Sequence, residues 1–226
     1  MKKMKKWMLA AIMICCSMTG HAQVKYCMTF AEFAADQWKQ ADSARVEPIS
    51  AAKRRLVQSS DFQIVSSDKE LSDMLNKEAY AVMDGKTLYV NCRNYRYQGL
   101  PFGPGYAYGF RYGNGKICIV NRKIGKGELV AVGALSTVVP GILLSAVVGA
   151  GMQEMMLANK VCYLVDSEPD KKGKTDIKYM NEKFINDVLG DNEELKSQYN
   201  AAGDKQARQS AANTLQTLMA AGLIKQ

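Results

Sequence analysis

The side chains that most often carry out catalysis are sparse in this 226-residue chain. Its single histidine, His21, lies in an N-terminal stretch that we predict to be removed, which excludes Ser-His-Asp and Cys-His catalysis and histidine-liganded metal sites for the remainder. Carboxylates such as Asp166 and Glu168 are the candidates for a hydrolase, which needs two acids held across a cleft. Scattered carboxylates are more typical of a solvated surface. We therefore predict no catalytic residue, no metal site and no cofactor.

Aromatic residues form the second group that could do chemistry. Eight of them lie between residues 89 and 112, with arginines interleaved and a Gly/Pro-rich loop in the middle. If residues 106–112 form a strand, its four aromatic side chains share one face. That face could stack on a glycan, a peptide or single-stranded nucleic acid, or its rings could pack across the sheet. A glycan or peptide is the preferred ligand, and no nucleic acid is expected. The predicted ligand-binding residues are Tyr106, Tyr108, Phe110 and Arg111.

The N-terminus has the three parts of a secretory signal. Four lysines within residues 2–6 precede an apolar run at 8–18, and Gly20-His21-Ala22 places small residues at the positions that a signal peptidase recognises. We predict that residues 1–22 are a signal peptide and that the chain is exported to the periplasm or the outer membrane. Four of the 30 basic residues and none of the 22 acidic ones would be lost, so the formal net charge falls from +8 to +4. A mildly basic surface is no evidence for nucleic-acid binding.

Four cysteines remain after the predicted signal peptide, at positions 27, 92, 118 and 162. They are dozens of residues apart and form no C-x-x-C pair, so they do not indicate a zinc site. Export favours a disulfide, and the predicted pairing is Cys92 with Cys118 or Cys162, since all three lie in strand-like runs. The alternative is that the cysteines are buried free thiols.

The most apolar stretch, residues 129–153, contains no charged residue and has small residues at four-residue steps. In a continuous helix these would form a ridge that lets another backbone come close. One interpretation is a membrane span through which the chain assembles as an oligomer. The other, favoured by Pro140-Gly141 at the centre and by the basic residues before the stretch, is a pair of short helices buried against a sheet. The predicted helix-packing ridge consists of Gly133, Thr137, Gly141, Ser145 and Gly149.

Hydrophobic periodicity and turn signals predict the surrounding elements. Strand-like runs lie at 61–65, 80–83, 87–94, 116–120, 161–165 and 176–180. Helices are predicted at 30–40, after the capping box at 67–70, at 181–190, after the capping box at 191–194 and at 204–221. The predicted fold class is α+β, with a mixed or antiparallel sheet covered by the glycine-rich apolar helical element and with C-terminal helices. Residues 23–190 would form the α+β domain, and 191–226 a C-terminal helical extension.

Three short motifs carry a family resemblance: YCMT at 26–29, LYVNCR at 88–93 and KICIVN at 116–121. With the aromatic loop and the apolar run, they make the chain resemble a family of exported proteins of Bacteroidota whose function is uncharacterised. The resemblance implies export and a shared fold, and it implies no activity or binding residue. We predict a non-enzymatic interaction or scaffolding protein of the cell envelope, whose partner is a glycan, a peptide or another envelope protein. The membrane-inserted oligomer and the carboxylate-based hydrolase are the alternatives.

Overall fold

The computed structural model describes residues 23–113, 115–125, 157, 160–166 and 173–225. The predicted signal peptide lies outside the described residues. So does the apolar stretch 129–153 with its small-residue ridge, and the structure therefore does not describe the expected glycine-rich cover of the sheet. Among the helices it does describe, none is both long and apolar enough to cross a bilayer.

The described chain contains fourteen strands and seven helices. The strands are β1 (Val24–Cys27), β2 (Lys39–Ala41), β3 (Ala44–Pro48), β4 (Phe62–Ser66), β5 (Ala81–Asp84), β6 (Thr87–Asn91), β7 (Tyr95–Tyr97), β8 (Leu100–Pro101), β9 (Tyr106–Tyr112), β10 (Lys116–Arg122), β11 (Lys160–Val165), β12 (Thr175–Asp176), β13 (Lys178–Tyr179) and β14 (Ile224–Lys225). The helices are α1 (Phe30–Ala34), α2 (Ala51–Val57), α3 (Lys69–Lys77), α4 (Glu182–Leu189), α5 (Glu193–Asn200), α6 (Lys205–Arg208) and α7 (Ala211–Ala220).

Eleven of the strands form one sheet, in which every described pairing is antiparallel. Its main path runs β13-β11-β10-β9-β6-β5-β1-β2; β14 and β4 also pair with β9, and β3 pairs with β4. A small second sheet, β12-β7-β8, contains one parallel pairing. The predicted α+β class with a largely antiparallel sheet and C-terminal helices is confirmed.

Side-chain alternation along the strands makes the large sheet a partition between two hydrophobic cores. The first core contains the aromatic side chains of β9 and is covered by residues of α3, α4, α5 and α7. The second contains Val90, Ile117 and Ile119 and is covered by α1 and by the small sheet. Both faces of β6 are covered, since Asn91 is buried and Tyr89 packs against the first core.

Local sequence signals explain several element boundaries. The Asn181 side chain accepts a hydrogen bond from Phe184 N at 2.9 Å and begins α4, and Gly190, with φ of 56°, ends it as predicted. The predicted helix at 30–40 is wrong beyond Ala34, because Asp36 takes a positive φ and the chain then enters β2. The predicted helix at 204–221 is divided, because Ser210 caps a new helix, α7.

The C-terminal residues belong to the first core. The side chains of Tyr199, Leu215 and Leu218 are completely buried there with Tyr106. The last strand, β14, continues along the edge of β9 beyond the end of β6, with Ile224 opposite Tyr112. The segment that follows α4 is therefore packed on the sheet.

The four cysteines of the described chain are free and completely buried, so the predicted disulfide is absent from the structure. Cys92 lies in the second core, whereas Cys118 and Cys162 lie in the first, so the sheet separates Cys92 from both predicted partners. Cys118 and Cys162 occupy neighbouring strands, but Cys118 is opposite Leu164 and Cys162 is opposite Val120. The alternative of buried thiols describes the observed arrangement.

Candidate functional site

The predicted ligand-binding tyrosines are buried in the first core. Tyr106 is inaccessible to solvent and donates a hydrogen bond from its hydroxyl to the carbonyl of Leu75 in α3. The Tyr108 ring packs against Phe62 at 4.6 Å and Tyr89 at 5.3 Å between ring centroids, and Phe110 is only 7% exposed. These side chains share one face, as expected for a strand. They pack across the sheet under the helices and form no open stacking surface.

Arg111 lies on the opposite face of β9 from these tyrosines. Its guanidinium stands 4.5 Å from the centroid of the Phe33 ring, and Nη2 is 2.6 Å from Oδ1 of Asp36. The pKa of Asp36 is lowered, first by the hydrogen bond from the Trp38 indole and also by Arg111. Arg111 is thus engaged in fastening the turn after α1 to the sheet.

The carboxylates considered for a hydrolase are not brought together by the described structure. The Asp166 carboxylate forms an ion pair with Nζ of Lys178 at 2.5 Å, and Glu168 lies outside the described residues. Within the described ranges, no three Cys, Asp or Glu side chains converge in a way that could hold a metal ion.

A cleft of about 270 Å³ opens where α1, the segment before β5, the end of β6 and the starts of β7 and β12 meet. Phe30 and Tyr80 form an aromatic wall, with ring centroids 5.8 Å apart in an edge-to-face arrangement. The lining residues are Met28, Thr29, Phe30, Ala31, Glu78, Ala79, Tyr80, Asn91, Asn94, Tyr95 and Thr175. A space of this size would take a ligand of roughly one sugar ring or one dipeptide, since a water occupies about 30 Å³.

Three residues of this lining carry a buried hydroxyl without a hydrogen-bond partner. They belong to Tyr80, Tyr95 and Thr175, three of the eight such side-chain atoms in the described structure, and the Tyr80 and Tyr95 hydroxyls lie close enough to affect each other's pKa. A buried polar group left unpaired costs about 1 to 3 kcal/mol. Such groups in native structures usually pair with water or a ligand. Their concentration around one cleft makes it the candidate binding site.

Local hydrogen bonds hold the cleft in shape. Thr29 caps α1 by accepting a bond from Glu32 N at 3.0 Å, and the Glu32 carboxylate in turn accepts from Met28 N at 2.6 Å. On the floor, the Asn91 amide donates to the carbonyl of Ala79 at 2.9 Å. At the rim, Asn94 Oδ1 accepts from Lys174 Nζ at 3.1 Å. The cleft is therefore preformed by hydrogen bonds within the protein.

Burial keeps the phenols and the thiol around the cleft uncharged. It raises the pKa of the Tyr80 phenol well above its usual 10 and the pKa of the neighbouring Cys27 thiol to about 12. Burial also raises the pKa of Tyr95 well above the normal value. The buried part of the lining thus consists of neutral phenols, amides and rings, which suit a polar ligand, and the exposed Glu78 side chain lies at its edge.

A second polar cluster lies at the junction of α2, β4 and β11. The buried Asp61 carboxylate accepts from Arg54 Nη1 at 2.7 Å and from Lys160 Nζ at 2.5 Å. Next to it, the Asn121 amide donates to Ser60 Oγ at 3.0 Å. Burial lowers the pKa of Lys160, an effect that Asp61 opposes. The Lys160–Asp61 ion pair in this cluster joins segments that are 99 residues apart in the chain.

The fold and the cleft define an α+β protein in which an antiparallel sheet separates two cores and a cleft with aromatic and polar lining residues lies at one end. Residues 25–222 match a family model, and the chain belongs to this family, which is described as a family of unknown function (DUF6563). The expected resemblance to a family without known function is confirmed. Its export and its occurrence in Bacteroidota stay predictions. No curated protein and no solved structure matches the chain.

Sequence reasoning did not find the cleft residues as a group. Tyr80 lies in a predicted strand-like run and Tyr95 in the aromatic run, whereas Thr175 lies outside every predicted element. The members come from positions 28 to 175, so no local spacing marks them. The only available signal was the aromatic enrichment that includes Tyr95.

Proposed function

We propose that this chain is an exported, non-enzymatic binding protein of the cell envelope, which takes a small neutral ligand of the glycan or peptide class in the cleft beside α1. The observation that carries the proposal is the set of three unpaired buried hydroxyls around one cleft. A polyol or a peptide unit offers the alternating donors and acceptors that such hydroxyls lack. The Phe30 and Tyr80 rings supply the apolar wall against which a sugar ring packs.

A binding role also accounts for the chemical character of the cleft. Its phenols and the nearby thiol have raised pKa values and are neutral at neutral pH, so they are poor nucleophiles and poor bases. Hydroxyls and amides fix the orientation of a ligand by hydrogen bonding. Export is supported by the basic, apolar and small-residue pattern of residues 1–22.

Titration of the purified chain with neutral mono- and disaccharides and with capped dipeptides tests the binding proposal. Amide chemical shifts of residues beside the cleft, such as Asn94 and Thr175, should move in a saturable way with at least one of these probes. Thr175→Val and Tyr95→Phe should each weaken binding about three- to tenfold, which is the effect of one hydrogen bond.

Tyr106→Phe is the matched control, because its hydroxyl already has an internal partner at Leu75. It should leave the affinity unchanged. If no probe moves the cleft resonances, or if all three variants lower affinity equally, the cleft is not the binding site. N-terminal sequencing tests export separately: the processed chain should begin at Gln23, and an unprocessed chain in the cytoplasm would refute export.

The alternative proposal is a membrane-inserted oligomer assembled through the ridge from Gly133 to Gly149. It is supported by the uncharged length of residues 129–153 and by their four-residue repeat of small side chains. Carbonate extraction of native membranes separates the two proposals. Retention of the chain in the membrane pellet would favour the oligomer, and release would favour the binding protein.

A further inference from the structure

Helix α2 is held on the molecule in an unusual way. None of its seven residues is buried, so it has no hydrophobic face packed on the core. It is fastened by its Ser50 cap, by the Arg54–Asp61 ion pair and by a hydrogen bond from Lys53 Nζ to Gln63 at 3.0 Å. A helix that packs no apolar stripe inward usually owes its position to polar contacts at its ends.

The apolar side chains of α2 point outward instead. Leu56 is 85% exposed and Val57 44%, and these two are the exposed large hydrophobic residues of the described chain. Lys53 precedes them by three and four residues, so it lies on the same side of the helix. Ala51 and Ala52 are small, so they would not hold the helix away from a flat surface.

The surroundings of α2 carry an excess of positive charge. Asp61 is shared between two cations, and Arg122 extends Nη2 to the carbonyl of Gln58, the residue that ends the helix, at 3.1 Å. On the adjoining β3 strand, Glu47 is already paired with Arg45. The cations on or beside the helix are Arg45, Lys53, Arg54, Arg55, Arg122 and Lys160, and the two carboxylates are Glu47 and Asp61.

We propose that α2 docks on an anionic phospholipid surface, with Leu56 and Val57 inserted among the headgroups and the basic side chains of Lys53 and Arg55 against the phosphates. The carrying observation is an exposed apolar pair on a helix with a basic side. Apolar residues together with Lys and Arg are the combination by which interfacial helices bind anionic membranes. The inference does not depend on the cleft or its ligand.

Sedimentation with vesicles of phosphatidylcholine, with and without phosphatidylglycerol, tests the proposal on the purified full chain. Binding should be stronger with phosphatidylglycerol and should weaken as sodium chloride is raised. Lys53→Gln with Arg55→Gln should lower the partition coefficient on anionic vesicles roughly 25-fold, at about fivefold for each basic residue. Leu56→Ser with Val57→Ser should lower it about tenfold.

Lys86→Gln with Lys116→Gln is the matched control, because both lysines are exposed and lie away from α2. This pair should change vesicle binding less than twofold, because salt screens the attraction between the membrane and charges that lie far from the docked helix. The Leu56/Val57 and Lys86/Lys116 variants alter exposed residues, so their thermal unfolding should coincide with that of the unaltered chain. Because Lys53→Gln also removes the hydrogen bond to Gln63, Arg55→Gln is measured alone as well and should lower the partition coefficient about fivefold. Because the chains differ only at the substituted positions, contributions from the rest of the molecule cancel in the comparison.

Three outcomes would overturn the proposal. The first is equal binding to vesicles with and without phosphatidylglycerol. The second is an equal loss of binding in the Lys86/Lys116 control, which would show that only net charge matters. The third is binding of an acidic protein or polyanion through α2 without any binding to vesicles, which would assign the surface to a different class of partner.

Discussion

Replacing Asp61 by Asn should destabilise this protein strongly. The Asp61 side chain is 7% exposed, and its two partners, Lys160 and Arg54, are 12% and 31% exposed. Removing one member of a buried ion pair leaves a charge without compensation and costs about 3 to 5 kcal/mol. Because Arg54 can turn partly into solvent while Lys160 cannot, we expect a loss near the lower end, about 3 kcal/mol. For a chain of this length, that corresponds to a decrease in Tm of about 6 to 12 °C.

The loss of folding stability in Asp61→Asn should become smaller as the pH rises. Burial lowers the pKa of Lys160 from its usual 10.5, and the Asp61 carboxylate opposes that shift. Without the carboxylate, the folded-state pKa falls further below the unfolded value. Between these two values the unfolded chain binds more protons, so folding stability rises with pH. The difference between the Asn variant and the unaltered chain should therefore shrink as the pH is raised from neutrality towards 10.5.

Urea denaturation followed by circular dichroism measures both effects. Glu47→Gln is the matched control, since it also converts a carboxylate to an amide and also removes an arginine partner, but at an exposed pair. It should cost less than about 1 kcal/mol at every pH. If Asp61→Asn costs no more than Glu47→Gln, or if its deficit grows with pH, the cluster does not fasten α2 and β4 to β11 and the argument fails.

Three further results are expected. Thr175→Val should raise the free energy of unfolding by about 1 kcal/mol, because it removes an unpaired buried hydroxyl, whereas Tyr106→Phe should lower it by a similar amount; chemical denaturation compares them. Gly103→Ala should destabilise by about 1 to 3 kcal/mol more than Gly99→Ala. Both glycines have positive φ, but only at Gly103 would a Cβ meet another atom, Gln58 O at 2.2 Å, and equal Tm values would contradict this. Thiol titration of the processed chain should find no reactive thiol when folded and four in denaturant, and two instead of four would show a disulfide; the residues are Cys27, Cys92, Cys118 and Cys162.

Local sequence was a good guide wherever the responsible interaction is local. The Asp84-Gly85 turn predicted the hairpin of β5 and β6, and the structure closes it with Asp84 opposite Thr87 and Gly85 at a φ of 58°. Alternating hydrophobicity placed β4, and apolar residues on both faces placed β10 and β11 as interior strands. The expectation that the four aromatic residues of 106–112 share one face if this segment is a strand is met by β9. Asn181 and Gly190 marked both ends of α4.

Periodicity and polarity were poor guides in two segments, 30–40 and 42–60, where interactions with other parts of the chain set the backbone conformation. The spacing at 30–40 suits a helix, but the chain turns at Asp36, whose carboxylate is then held by Trp38 and Arg111. The polar and basic stretch 42–60, interpreted as a loop or an exposed strand, contains the strand β3 but also the helix α2, which was not predicted and buries no residue. A hydrophobic pattern cannot reveal an element whose stability comes from an ion pair with a residue elsewhere in the chain.

The sequence by itself determined the class of fold, the central strands of the large sheet, the Thr29 and Asn181 helix caps and the lack of imidazole chemistry beyond His21, because each depends on residue type or on neighbours within a few positions. Only the tertiary structure decided that Cys92 faces a different core from Cys118, that Asp61 meets Lys160, and that Tyr80, Tyr95 and Thr175 line one cleft. These are contacts between distant segments, and the packing of the whole sheet sets them. The hydrophobic pattern of a strand predicts which side chains share a face, but it does not predict which elements pack against that face.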